Sequence, residues 1–136
     1  MADESQESYL VTRIGRSDRL LALCNVREIV PALELARPEG LSGVCRGVAN
    51  VRGDVVPVFD LEARDGALDA MQLIVIARTE SGMLIGILVD DVLELVQLGA
   101  AQVVSHPAGH GRMVRSVNLR GATVSVLSPK DVLDAA

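Results

Sequence analysis

The sequence predicts an all-β protein of short paired strands, closed by one C-terminal helix. Three observations predict it. Short runs rich in Val, Leu and Ile recur along the chain, each bounded by Gly, Asp, Asn, Ser or Pro, which is how strands and turns are punctuated. Aromatics are limited to Tyr9 and Phe59, so the core is built from aliphatic side chains, whose branched members fit a pleated surface. The third is a weak internal repeat: Asn50-Val51-Arg52-Gly53 in the first half answers Asn118-Leu119-Arg120-Gly121 in the second, each followed by valine-rich alternation. Such self-similarity points to two like sub-barrels, although Asn-x-Arg-Gly is also simply a good hairpin turn in any fold.

The elements follow in order. "YLVTRI" (9–14) and "RLLALC" (19–24) flank the turn formers of "GRSD" and read as a hairpin. "VREIVPALEL" (26–35) carries Pro31, which places that point at an edge or bulge. The Pro- and Gly-rich "ARPEGLSG" is a loop. "GVANV" and "VVPVFDL" then fold back on each other across "RGD", and Pro57, lacking an N–H, is expected to face an unpaired edge. "EARDGALDA" is a short helical turn or a loop between halves. "MQLIVIART" (71–79) and "GMLIGILVD" (82–90) form a second hairpin across "ESG". "DVLELVQL" is a further strand, "GAAQVVSHPAGHGR" a polar connector, and "MVRSVNLRGATVSVLS" the closing pair. In "SPKDVLDAA", Ser128 is the helix N-cap, Pro129 its first residue and Asp131 its third. The expected layout is a single domain over 1–136, with sub-barrels near 9–65 and 70–127 and a helix over 128–134.

Composition narrows the function. With 136 residues, 49% of them hydrophobic and 23% charged, the chain is a globular domain able to bury a real core. A net charge of −5 and the lack of aromatic stacking platforms argue against nucleic acid. Cys24 and Cys45 lie in apolar surroundings and read as buried free thiols. The longest apolar run, "MLIGILV", is far short of a membrane span, and "MADESQES" is no signal peptide, so a soluble cytoplasmic protein is expected.

Catalytic chemistry is sparse. His106 and His110 are separated by Pro107 and Gly109, so no helix presents them as a ligand pair. Neither cysteine has a nearby histidine, and no nucleophile elbow or phosphate loop exists. Asp90-Asp91 reads as a strand-end turn before it reads as a metal site. No enzyme, metal or cofactor is expected. Twelve arginines stand against one lysine, and arginine suits fixed, bidentate interface contacts.

Three segments, "LALCNVREIV" (21–30), "RGVANVRGDVVPVFDL" (46–61) and "GILVDDVLELV" (86–96), resemble in order and spacing the CheW family of chemotaxis coupling proteins. The likeness runs from about Tyr9 to Leu133, and the central segment is its specific part. It implies two small five-stranded SH3-like β-barrels packed side by side with a short C-terminal helix. It also implies a non-catalytic adaptor that couples chemoreceptors to a CheA-type histidine kinase in cytoplasmic signalling arrays, as a monomer that assembles with its partners. Of the implied partner-binding residues, Val26 and Glu28 would face the kinase regulatory domain. Asn50, Arg52 and Asp54, with Val89 and Val92, would line a groove for the receptor's cytoplasmic hairpin tip, the alternative for the two valines being plain core. Glu28 and Arg52 are expected to pair. Two other readings stay open: a receptor-only or array-filling member of a non-flagellar pathway, and a small-ligand-binding β-barrel.

Overall fold

The computed structural model describes residues 6–32, 35–36, 44–64 and 68–135. Its strands are β1 (Gln6–Ile14), β2 (Ser17–Ala22), β3 (Val26–Pro31), β4 (Cys45–Val51), β5 (Asp54–Phe59) and β6 (Leu73–Arg78). β7 (Leu84–Val89), β8 (Asp91–Gly99), β9 (Val103–Gly109), β10 (Arg112–Leu119), β11 (Ala122–Val126) and the helix α1 (Pro129–Ala135) complete the chain. One sheet runs β3-β6-β7-β5-β4 and the other β8-β1-β2-β11-β10-β9.

The all-β architecture of two sheets with a short C-terminal helix is as expected, and its layout departs from the expectation in two details. One sheet has six strands rather than five, because the segment read as a polar connector pairs with β10 as β9. Its residues beyond Val103 are exposed, so no buried face imposes an alternating pattern, and Pro107 is tolerated because β9 is an edge. Second, neither sheet is built from 9–65 or from 70–127 alone. The β1–β2 hairpin joins β8 and β11, while β6–β7 joins β3 and β5. Each half lends its first hairpin to the other half's sheet. The crossings are short, one 3-10 turn (Leu23–Asn25) after β2 and the single residue Asp90 after β7. Both exchanges end in the same way, in a two-residue parallel ladder: Val58–Phe59 against Gly86–Ile87, and Ser125–Val126 against Arg19–Leu20.

The side-chain alternation of each strand feeds three cores. Tyr9, Val11, Leu20, Leu98, Val117 and Val126 fill the six-stranded sheet, and Val51, Val56, Val58, Ile74, Ile76 and Leu88 fill the five-stranded one. The opposite faces of the central strands supply Leu10, Leu21, Val75, Ile85, Ile87 and Val89 to a third core, which α1 covers through Val132. Strands buried on both faces explain continuous apolar runs such as "LIVIA" and "LIGILV". Gly86 is needed where β7 crosses the five-stranded interior: a Cβ there would meet Ile74 Cγ2 at 2.9 Å.

Pro57 does not lie on an edge, since β5 runs between β4 and β7. It stands opposite Val48, whose N–H and C=O both bond Ala36 on the far side. That pair therefore exchanges no hydrogen bonds, and the ladder to β7 begins one residue later at Val58. α1 has the expected Ser128 cap, and Asp131 makes it reciprocal: Ser128 Oγ accepts the Asp131 N–H at 3.2 Å and Asp131 Oδ2 accepts the Ser128 N–H at 2.9 Å. Both cysteines are free, as expected, but Cys24 is exposed, because it sits in the 3-10 turn that crosses between sheets.

Candidate functional site

The two Asn-x-Arg-Gly segments form matching turns. Arg52 and Gly53 have φ of 53° and 90°, and Arg120 and Gly121 have 52° and 87°. Positive φ at both central residues is the turn whose twist suits a tight hairpin. In each, the Asn side chain accepts the glycine N–H at 2.9 Å, from Gly53 to Asn50 and from Gly121 to Asn118. The turn fixes the arginine backbone and leaves its side chain outside, 73% exposed at Arg52 and 67% at Arg120.

Each arginine then reaches a glutamate on a neighbouring edge region. Arg52 Nε donates to Glu28 Oε1 at 3.0 Å and Oε2 at 3.3 Å, so the expected pairing is present. Arg27 extends it, with Nε 3.6 Å from Glu28 and Nη1 bonding Asp54 at 3.0 Å. Asp54, Arg27, Glu28 and Arg52 thus form one charged ladder across the end of the five-stranded sheet. Ile29 and Val55, 39% and 70% exposed, belong to the same strands. On the other sheet, Arg120 grips Glu94 through two parallel bonds of 2.5 and 2.6 Å. Those hydrogen bonds hold the Glu94 carboxyl below its ordinary pKa and the Arg120 guanidinium above its own. The second pair escaped sequence reasoning. Its signal was there: "VREIV" (26–30) and "VLELV" (92–96) place Glu28 and Glu94 at the same point of the repeat.

The remaining expected site residues divide. Asn50, Arg52 and Asp54 are exposed, and Glu28 is half-buried beside them. Val26 and Val92 are half-buried and pack on the core between the sheets. Val89 is fully buried, which corrects its assignment to a groove: β7 lies inside its sheet and Val89 faces the core that α1 helps to close.

The other Arg-Gly pair of the central segment has the opposite fate. Arg46 is buried, with Nη1 3.6 Å from Asp60, which is itself fully buried. Asp60 also accepts from Arg64 Nε at 3.0 Å and from the Glu62 N–H at 3.0 Å. Arg64 in turn bonds Asp90 at 3.0 and 3.1 Å, and Asp90 accepts the Gly15 N–H from the β1–β2 turn at 2.6 Å. This network ties the end of β5 to the crossing between β7 and β8. Burial pushes the Asp90 carboxyl up, but bonds from Gln72, Gly15 and Arg64 outweigh it and hold the group below its ordinary value. The Asp60 bond raises the Arg64 guanidinium. These buried charges are structural, whereas the ladder is open to a partner.

Among the described residues, no group of three or more His, Cys, Asp or Glu side chains is placed to hold a metal, and no helix is long and apolar enough to cross a membrane. The structure is similar to that of the scaffolding protein TtCheW from Thermoanaerobacter tengcongensis, with a TM-score of 0.74 at 15% identity over 92% of this chain and 86% of that one. A chemotaxis protein CheW from Klebsiella aerogenes is 27% identical over 100 residues, 71% of this chain. The match spans 60% of that relative's own length. The CheW-like domain family matches residues 8–136, a span that takes in both sheets but for the first two residues of β1, together with their turns and the C-terminal helix, and the chain belongs to the CheW-like domain family.

Proposed function

We propose that the chain is a non-catalytic cytoplasmic adaptor that couples chemoreceptors to a CheA-type histidine kinase. The observation that carries this reading is the charged ladder of Asp54, Arg27, Glu28 and Arg52, standing in solvent beside the exposed Ile29 and Val55. Rigid turns, arginine forks and adjoining apolar residues are the makings of a protein interface. Glu28, with Val26 beneath it, faces the kinase regulatory domain. Asn50, Arg52 and Asp54 contribute with Val92 to the receptor contact. The ligand-binding barrel is disfavoured because the interior clusters of both sheets are packed with aliphatic side chains, joined only by Tyr9 among the described residues.

Calorimetric titration against the kinase regulatory domain and, separately, a receptor tip hairpin tests the reading. Saturable binding to both is expected, weakened at least about tenfold by Arg52→Glu or Val55→Arg in variants that keep their urea midpoint. Binding to the receptor hairpin alone would mark an array-filling member. Binding to neither would overturn the proposal.

A further inference from the structure

A cleft of about 560 Å³ opens where the two sheets meet beside α1. Its wall takes Arg78 from the end of β6, Arg115 from β10 and Lys130 from α1, against the single carboxylate of Glu80. This is a concentration of positive charge on a chain of net charge −5. Elsewhere six arginines, Arg13, Arg27, Arg46, Arg52, Arg64 and Arg120, lie within ion-pair distance of carboxylates, whereas Arg16 and Arg19, which share another surface, make no ion pair among the described residues.

The two guanidiniums of the cleft are also without such a match. Arg78 and Arg115 make no ion pair or side-chain hydrogen bond among the described residues. Lys130 has Asp134 at 2.9 Å, which with Asp131 outweighs the repulsion from Arg112 and raises the ammonium above its ordinary value. Arg115 is half-buried; it acts on the Cys24 thiol and the Tyr9 phenol, but burial and the Glu7 carboxylate, which bonds both, outweigh it there and raise the two groups. Desolvating a guanidinium without a carboxylate costs stability, and holding like charges together costs more. A bound anion offsets both. Donors are also at hand: the Ser128 hydroxyl accepts from Asp131 and keeps its own hydrogen, and Ser81 and Thr79 share one between them.

We propose that this cleft binds a compact phosphate-bearing polyanion, with Arg78 and Arg115 as its main contacts and Lys130 at the rim. The volume suits a small molecule. Guanidinium forks match phosphate oxygens two at a time, and cations crowded into one small space suit charge concentrated on one ligand rather than carboxylates spread along a peptide. Because Arg78 belongs to one sheet and Arg115 to the other, the ligand clamps the two together. This inference stands apart from the adaptor reading, and either can fail alone.

The test is calorimetric and thermal-shift titration of the full chain with inorganic tripolyphosphate at low salt. One-site binding with a raised melting temperature is expected. Arg115→Ala and Arg78→Ala, each confirmed folded by circular dichroism, should weaken it at least about tenfold, and Arg16→Ala, on a separate basic surface, should leave it unchanged. No saturable binding would overturn the proposal. So would an equal loss in Arg16→Ala, which marks diffuse attraction, or binding of a polyglutamate peptide without tripolyphosphate.

Discussion

Arg46 and Arg52 sit six positions apart in one segment, each followed by glycine, yet solvent separates their roles. The Arg52 side chain is 73% exposed against Glu28, and such a pair contributes at most about 1 kcal/mol. Arg52→Ala should therefore move the urea midpoint little while weakening partner binding strongly. Asp60 is fully buried between Arg46 and Arg64. Asp60→Ala removes the buried carboxylate that Arg46 and Arg64 share, and breaking such a buried pair is expected to cost about 3 to 5 kcal/mol in urea unfolding. Sequence alone did not separate the two arginines. Both stand in Arg-Gly pairs, and only the bulge at Gly47, where a Cβ would meet the Ala36 carbonyl oxygen at 2.5 Å, turns the first one inward.

Among the elements, those with strong local chemistry were legible and those without were not. The hairpins at Gly15, Arg52-Gly53 and Arg120-Gly121 and the Ser128 cap fell where turn and cap residues placed them. β9 was missed because an exposed edge strand has no face to alternate. Val89 looked like a groove residue because adjacency in a motif does not reveal which side of a strand is covered. The crossing between β7 and β8 carries its own prediction. Asp90, held below its ordinary pKa by Gln72, Gly15 and Arg64, contributes stability that is present above the unfolded carboxylate value of about 4 and lost as pH falls through the lower folded value. Acid unfolding monitored by circular dichroism should show that loss below about pH 4, and Asp90→Asn should flatten it. α1 is similarly testable. Val132 is fully buried in the central core, so Val132→Ala should cost about 2 kcal/mol in urea unfolding.

At the scale of the whole molecule, the repeat was readable but its exchange was not. Asn-x-Arg-Gly marks both copies, whereas the parallel ladders that complete the exchange are two residues long and leave no pattern in the sequence. Neither half contains a complete sheet. Cutting between Ala67 and Leu68 should give two fragments that are unfolded alone and regain native circular dichroism when mixed. A folded isolated half would contradict the exchange.

The exchanged hairpins also have a consequence for ancestry and dilution. A lone half would expose its hairpin and an unfinished sheet, and two such halves can complete each other only as a pair, as subunits of a dimer do. On one polypeptide that pairing is intramolecular, with an effective concentration set by the short tether and not by abundance in the cell. A fold that two free halves would lose on dilution is here independent of dosage.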